Sequence, residues 1–252
     1  MEAYNSLFTF KYIYTPMKKF SFLLIAFPLI FTACKTKCIE DSGVRVEHEK
    51  VFKAFDKLEV AGPIKVVVNQ DSTYKIRIAA DSNVVDAVKA SVSSGTLKLK
   101  LDAEKYCGTD SIVIHAGVKY LKSIRLESGS EVYSSSLLNF RDVELILNGT
   151  TKVDMQLTAG ILTTNVEGTA KIKLVGQAGE HNLKSNGVLT LDAFDFVVAK
   201  YNLNAEGVNK SNINVLNVLK VETSGTSEIY YKGSPKDISK KKTGNAKLEK
   251  VN

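Results

Sequence analysis

Residues 143–169 read VELILNGTTKVDMQLTAGILTTNVEGT, and they hold two copies of the pattern that decides the fold. Each copy is a β-prone run that ends in a polar residue and a glycine. The glycine returns at nearly even spacing along the chain, as Gly129, Gly149, Gly168, Gly187, Gly207, Gly225 and Gly244. A polar residue followed by glycine is a turn signal, so the pattern predicts regularly spaced turns.

A period of about 20 residues is typical of solenoids, which are built either as leucine-rich repeats or as β-helices. The residues beside the glycines favour strands, because apolar and polar side chains alternate with period two in runs such as 143–147, 171–174 and 219–223. The sequence therefore predicts an all-β, parallel β-helix-like solenoid with about seven turns of about 18–20 residues each. In such a fold, side chains such as Leu147 and Val166 become buried only when neighbouring turns stack.

The segment before the repeats, from residue 44 to about residue 120, carries strand patterns without this glycine period. The predicted strands are 58–60, 64–68, 74–78, 97–101 and 112–114. A short helix is predicted over residues 83–88, capped by Asp81 or Ser82. Solenoids need an atypical unit that covers the end of the core, so we interpret this segment as an N-terminal β cap. Residues 44–252 are then one domain.

The first 33 residues resemble an upstream segment followed by a secretory signal. Met17-Lys18-Lys19 supplies the charged region, and residues 20–31 form an apolar run. This run is too short to span a bilayer as a stable helix. We therefore predict that residues 1–33 are removed and that Met17 is the true start.

The signal ends in Phe31-Thr32-Ala33-Cys34, which resembles the lipobox of bacterial lipoproteins. The prediction is that Cys34 is lipidated and becomes the mature N-terminus, and that residues 34–43 form a flexible tether. Several acyl chains on one cysteine would anchor the protein stably to a membrane. The alternative is an ordinary signal peptide cut nearby, which leaves Cys34 unmodified.

Two further cysteines, Cys38 and Cys107, remain in the exported part of the chain. An oxidising compartment permits them to form a disulfide, which would fix the N-terminal segment to the domain. A disulfide needs Cα atoms about 4.4–6.8 Å apart, and sequence does not give that distance. Pairing and free thiols therefore both stay open at this point.

The order of these patterns resembles a known family. A block at residues 55–68 (FDKLEVAGPIKVVV), a hairpin at 94–99 (SGTLKL) and the glycine-spaced turns are similar to the head domain, or GIN domain, of auto-transporter adhesins. The resemblance covers about residues 50–250. It implies a right-handed β-helix-like fold and a lipoprotein or secreted protein of a Bacteroides-type bacterium. It brings no catalytic motif.

The charge distribution argues against a nucleic-acid partner. Residues 1–33 hold three of the 34 basic and one of the 27 acidic residues, so their removal lowers the net charge from +7 to +5. Six lysines and two acidic residues fall within 236–250, so most of the excess lies in the last turn. A nucleic-acid groove would spread positive charge along a face. Lysines there protect an exposed edge strand, or else they contact anionic envelope polymers.

The residue types that carry most enzyme chemistry are not grouped in this chain. His48, His115 and His181 lack metal-ligand spacing and read as surface or strand residues. No phosphate-binding glycine loop, serine nucleophile elbow or Cys-x-x-Cys motif occurs. We therefore predict no catalytic residue, no metal and no cofactor.

The residues before the glycines are a candidate contact surface. In a stacked solenoid, Asn148, Glu167, Asn186 and Glu206 would lie in one column. Glu167 and Glu206, two turns apart, would be separated by roughly 9–10 Å, near the carboxylate spacing of inverting glycosidases. Turn corners also select Asn and Glu for solvation and local hydrogen bonds. The column is thus interpreted as a surface contact site, with a polysaccharide lyase or glycosidase as the alternative.

These observations predict a non-enzymatic lipoprotein of the cell envelope that acts as an adhesin-like binding or spacer module. The predicted partners are the membrane, through the lipid anchor, and a glycan or protein surface. A periplasmic structural role explains the same residues. The predicted location is the outer membrane, and the sequence leaves open whether the domain faces outward or into the periplasm.

Overall fold

Strands account for about 76% of the part of the chain that the computed structural model describes, residues 38–102 and 106–252. The all-β prediction is therefore confirmed. The thirteen strands are β1 (Arg45–Val51), β2 (Lys57–Ala61), β3 (Ile64–Gln70), β4 (Lys75–Asp81), β5 (Val88–Ser93), β6 (Thr96–Leu101), β7 (Ile112–Val118), β8 (Ser123–Glu127), β9 (Glu131–Ser134), β10 (Leu138–Asn139), β11 (Asp142–Lys232), β12 (Asp237–Lys242) and β13 (Asn245–Lys250). The one helix among these residues is α1 (Ser82–Val85).

The repeats form a continuous extended run, β11, which is 91 residues long and pairs in parallel with the short strands before and after it. Val218 pairs with Asp237 in β12, and Thr226 pairs with Asn245 in β13, so each partner lies one glycine interval further along the chain. At the other end, Glu144 pairs with Ser123 in β8. The chain therefore returns to the same lateral position about once per glycine interval.

The repeat glycines lie against one another and form a column along one corner. A Cβ atom at Gly168 would come 2.7 Å from the carbonyl oxygen of Gly149, and one at Gly225 would come 2.5 Å from that of Gly207. The same contact joins each consecutive pair among glycines 149, 168, 187, 207, 225 and 244. Only glycine fits this corner, because the φ angles are positive and the backbones are too close for a side chain.

The N-terminal strands, which were predicted to form a cap on a parallel solenoid, make the sheet partly antiparallel. Strand β4 pairs antiparallel with both β1 and β7, and β5 pairs antiparallel with β6. Among the described residues, the strands form one open mixed sheet. The β5–β6 connection is a two-residue turn at Ser94 and Gly95, with φ angles of 49° and 72°. The predicted hairpin at residues 94–99 is thus confirmed.

The predicted helix over residues 83–88 is shorter in the structure and starts earlier, because α1 covers Ser82–Val85 and β5 already begins at Val88. Asp81 is its N-cap, as one of the two predicted caps. Its carboxylate accepts hydrogen bonds from the backbone N–H groups of Ser42 (2.9 Å) and Gly43 (2.8 Å) as well as from that of Asn83 (3.5 Å). The same side chain therefore caps the helix and holds the N-terminal segment.

The core is a single apolar cluster that runs from the N-terminal strands through the repeats. Leu147 and Val166 are 0% and 2% exposed, as stacking of the repeats requires. A few polar side chains share the interior, among them Thr164, His181 and Ser185.

The N-terminal segment contacts the domain from residue 38 onward. Cys38 and Cys107 are joined as a disulfide, with Cα atoms 5.7 Å apart. Ile39 forms an isolated parallel bridge with Tyr106. The Asp41 carboxylate accepts hydrogen bonds from the Tyr106 hydroxyl (2.7 Å) and from the backbone N–H of Asp110 (2.9 Å). A flexible tether was expected for residues 34–43, and its described part, residues 38–43, instead makes these contacts with the domain.

The predicted signal peptide (residues 1–33), the start at Met17 and the lipidated Cys34 lie outside the described residues, as do residues 35–37 of the tether. No helix within the described ranges combines the length and apolar character needed to cross a bilayer.

Candidate functional site

The four residues of the predicted contact column, Asn148, Glu167, Asn186 and Glu206, each precede a glycine of the stacked corner, so they lie at successive levels. Glu167, Asn186 and Glu206 are exposed, while Asn148 is half-buried. Glu206 also lines a small groove of about 150 Å³ together with Glu222 and Lys241. The structure thus places the column on an accessible edge of the domain.

The two carboxylates of this column, Glu167 and Glu206, lack the sheltered surroundings that glycoside hydrolysis requires. The general-acid carboxyl group of a glycosidase lies in sheltered, apolar surroundings. Glu167 and Glu206 are exposed to solvent instead, and the level between them carries Asn186. The arrangement suits hydrogen bonding to a surface better than bond cleavage.

A broader polar surface lies next to the column. Its central side chains are Asn165, Asn182, Asn202 and Asn204, which we call the amide face. With Lys184, Lys220 and Glu222 they line a groove of about 310 Å³. The groove is shallow and outward-facing because these residues occupy the outward positions of alternating strands whose inward positions are buried.

Hydrogen bonds between levels orient the amide groups. The Asn202 side-chain N–H donates to the Oδ1 atom of Asn182 (2.7 Å) and to an Oε atom of Glu180 (2.9 Å). One level away, Asn165 donates to Glu144 (3.0 Å). The side-chain carbonyl oxygen of Asn202 and the side-chain N–H groups of Asn182 have no protein partner among the described residues, so both are available to a ligand.

The three histidines are all strand residues, but only one is central to the core. His48 is exposed in β1 and His115 is half-buried in β7. His181 is fully buried in β11, where its Nε2 atom lies 3.0 Å from the Thr164 hydroxyl. Burial lowers the pKa of His181 to about 3. It therefore stays neutral at physiological pH and is a packing residue.

The described residues contain no group of three or more His, Cys, Asp or Glu side chains that could hold a metal ion. One ion pair lies beside the amide face. Lys200 donates to Glu180 at 3.1 Å, beside Asn202. The surface offers hydrogen-bond donors and acceptors with little net charge.

The amide face was missed in the sequence, although a signal for it existed. Asn182 and Asn202 stand at the same offset before Gly187 and Gly207. Thr163 has this offset from Gly168, so the three share one column of outward side chains. The residues three and five positions before each repeat glycine include all four asparagines of the amide face, so the glycine spacing could have identified them.

The family model described as "Putative auto-transporter adhesin, head GIN domain" matches residues 54–235. The chain belongs to the GIN domain family. The match includes the glycine column up to Gly225 and all four residues of the amide face. The resemblance inferred from the sequence patterns is therefore confirmed.

Solved structures show the same GIN domain fold at low sequence identity. A protein described as a putative adhesin from Bacteroides fragilis is 23% identical and has a TM-score of 0.78, with 84% of this chain and 100% of that chain covered. A putative lipid binding protein from Parabacteroides distasonis is 19% identical (TM-score 0.63), with 86% and 100% covered. A putative adhesin from Parabacteroides merdae is 20% identical (TM-score 0.61), with 85% and 99% covered. No curated protein shows significant similarity.

Proposed function

We propose that this GIN domain is a non-enzymatic, adhesin-like binding module of the cell envelope, and that the amide face is its contact surface for a glycan. The observation that carries the proposal is the ordered set of amide groups at successive levels. These groups offer free donors and acceptors along a regular, shallow surface. Solved relatives described as adhesins support a role in binding.

The chemistry of the amide face suits a hydroxyl-rich polymer. Each carbohydrate hydroxyl both donates and accepts a hydrogen bond, and an asparagine amide can satisfy both roles at once. Successive levels lie about 4.8 Å apart, so one extended chain can contact several of them. The contact column, with Asn186 and Glu206, forms the edge of the same surface.

The proposed architecture builds on the parallel pairing of residues that lie about one glycine interval apart. We infer that the repeats wind as a right-handed parallel β-helix and that residues 44–252 are one domain, with the mixed N-terminal strands as its cap. We also propose that Cys34 carries the lipid anchor after removal of residues 1–33, and that the disulfide between Cys38 and Cys107 forms in the exported protein. The proposed location is the outer membrane.

Binding to a glycan array tests the proposed function. The wild-type protein should bind at least one class of polysaccharide. Replacement of Asn202 and Asn204 by Ala should weaken that binding tenfold or more, because it removes groups that contact the ligand. Asn212→Ala is the matched control, since Asn212 lies outside the amide face and outside the grooves beside it. Equal loss in the control variant would contradict a role for the amide face.

The enzymatic alternative is tested with the same ligands. A polysaccharide lyase or glycosidase would generate unsaturated products or new reducing ends during prolonged incubation. We expect neither. Turnover that is abolished by Glu167→Gln or Glu206→Gln would replace the binding proposal with catalysis at the contact column.

Protease treatment of intact cells separates an adhesin from a periplasmic structural protein. An adhesin must face outward, so the domain should be cleaved without disruption of the outer membrane. Full protection in intact cells, followed by cleavage after the membrane is ruptured, would contradict the adhesin role and favour the periplasmic one.

A further inference from the structure

A second and larger groove opens beside the amide face. It has a volume of about 920 Å³ and lies between the β7–β8 connection and the first residues of β11. We call it the Tyr120 groove. Thr163 lines both this groove and the groove of the amide face, so the two surfaces are continuous. Sites for small molecules commonly have volumes of about 300–1,000 Å³.

The walls of the Tyr120 groove are held together by one side chain. The Gln70 amide donates to the carbonyl oxygens of Lys119 (3.0 Å) and Asn139 (2.8 Å), and its oxygen accepts from the backbone N–H of Asn139 (2.7 Å). These three hydrogen bonds connect the end of β3 to the β7–β8 connection and to β10. The groove is therefore formed before any ligand arrives, which reduces the entropic cost of binding.

The groove contains both cations and carboxylates. Its two carboxylates accept hydrogen bonds from uncharged donors, Asp142 from the backbone N–H of Ile161 (3.2 Å) and Glu144 from the Asn165 amide (3.0 Å). Arg141 and Lys119 form no ion pair with any described residue. Within the described part of the chain, the groove thus offers two free cations to a ligand.

An aromatic side chain lies beside these cations. Tyr120 is 41% exposed, and the Lys122 Nζ atom lies 5.7 Å from its ring centroid. Lys122 is itself held by Asp56, at 2.6 Å. An exposed ring presents an apolar surface on which a sugar ring can pack, while the phenol hydroxyl remains able to hydrogen-bond.

We propose that the Tyr120 groove binds an acidic sugar residue, whose carboxylate pairs with Arg141 and whose ring packs on Tyr120. An arginine guanidinium forms two parallel hydrogen bonds to a carboxylate, which a neutral sugar cannot accept with the same strength. Continuity with the amide face allows one polymer chain to occupy both surfaces. The inference rests on the proposed glycan-binding function and specifies an anionic, carboxylate-bearing glycan as its ligand.

The experiment compares two oligosaccharides of equal length by isothermal titration calorimetry with the purified full chain in detergent. The acidic probe is hexagalacturonate and the neutral probe is maltohexaose. We expect the wild type to bind the acidic probe at least tenfold more tightly. Arg141→Gln should remove that preference, and Tyr120→Ala should weaken binding of both probes. Lys210→Gln, which removes one exposed positive charge outside the groove, should leave both affinities unchanged.

Several outcomes would overturn the inference. Unchanged affinity of Arg141→Gln for hexagalacturonate, equal binding of the two probes by the wild type, or binding of neither probe would each do so. Weaker binding of Arg141→Gln than of the wild type to phosphatidylglycerol vesicles, with no binding of either to hexagalacturonate, would show that the groove recognises an anionic lipid surface instead. The proposed function is judged separately, by the glycan array and the variants of Asn202 and Asn204.

Discussion

At the scale of single residues, His181 is a fully buried ionisable group that forms no ion pair with any described residue. Its ring lies 4.7 Å from that of Tyr201 and 6.1 Å from that of Phe196, measured between centroids. Its Nδ1 atom has no hydrogen-bond partner among the described residues. Protonation would therefore place an unpaired charge inside the core, which is costly.

We expect His181 to make the protein lose stability in acid. Unfolded histidine has a pKa near 6.5, whereas burial lowers the pKa of His181 in the folded state to about 3. Between these values the unfolded state binds the extra proton, so the free energy of unfolding falls as the pH falls from about 6.5 toward 3. The slope contributed by this residue is about 1.4 kcal/mol per pH unit. Urea denaturation at several pH values measures it.

The variant His181→Leu isolates this contribution. Leucine keeps the site apolar, and buried Leu162 and Leu219 show that leucine occurs at the same offset in other repeats. The pH dependence of the variant should be flatter than that of the wild type above about pH 4. The pKa of half-buried His115 is also lowered, mainly by burial and to a smaller extent by the positive charge of Arg77. Because His115 is present in both proteins, its contribution to the pH dependence cancels when their slopes are compared. Identical slopes would contradict the prediction.

The glycine column predicts different costs for the same substitution at two positions. Gly225 has a φ of 95°, and a Cβ there would come 2.5 Å from the carbonyl oxygen of Gly207. Gly43 has a similar φ of 78°, but no atom lies within 4 Å of the position that a Cβ would take. Gly43→Ala should cost about 1–2 kcal/mol for conformation alone, and Gly225→Ala should cost clearly more. Thermal unfolding measures both, and equal costs would contradict close stacking of the corners.

At the scale of strands, burial between levels predicts the effect of Val166→Asp. Val166 is 2% exposed and belongs to the continuous core. An aspartate there would be an unpaired charge between neighbouring levels, so we expect a loss of several kcal/mol and cooperative unfolding of the domain. Circular dichroism during denaturation tests this. The exposed control Thr169→Asp should be nearly neutral, and tolerance of Val166→Asp would contradict the register.

Strand β12 carries lysines at positions that are in register with inward-facing residues of β11. Lys240 pairs with buried Val221, and Lys242 pairs with buried Thr223. Charged side chains at inward positions of an edge strand prevent another chain from pairing with it. The double variant Lys240→Val, Lys242→Val should therefore associate end to end, which sedimentation velocity would detect. The control Lys241→Val changes an outward position and should stay at the wild-type size.

Most of the repeat geometry could be predicted from the sequence because it is local. Each glycine interval carries its own turn and its own alternating strands, so the pairing of Val218 with Asp237, one interval later, follows from counting. The Asp81 cap is equally local, since its carboxylate reaches the N–H of Asn83. Such features depend on residues that are near one another along the chain or related by the period.

The mixed N-terminal strands and the amide face depend on information that is not local. Strand β1 carries no fully buried residue, so the alternation that marks other strands is absent from Arg45–Val51. Its antiparallel partner β4 has no periodic relation to it. Asparagines at positions 182 and 202 resemble ordinary surface residues until the fold places them at adjoining levels. The Tyr120 groove likewise joins segments that share no motif.

At the scale of the whole molecule, the disulfide links Cys38 to Cys107, which are 69 residues apart in sequence. In the chain-entropy model, a loop of this length contributes about 4 kcal/mol of stability. The variant Cys38→Ser, Cys107→Ser should unfold at lower denaturant concentration and release residues 38–43 for proteolysis. Peptide mapping without reductant should recover the two cysteines in one linked species from the wild type. Alkylation of both thiols before reduction would contradict the prediction.

The contacts of residues 38–43 also set how far the protein can reach. If Cys34 is the lipidated residue, as we propose, only Lys35, Thr36 and Lys37 separate the anchor from the disulfide at Cys38. Four residue steps span at most about 14 Å, and the glycine column adds only about 30 Å along its axis. The grooves would then stay within a few nanometres of the bilayer. A partner can therefore be bound only if it approaches the bilayer to within this distance or is itself anchored in the membrane.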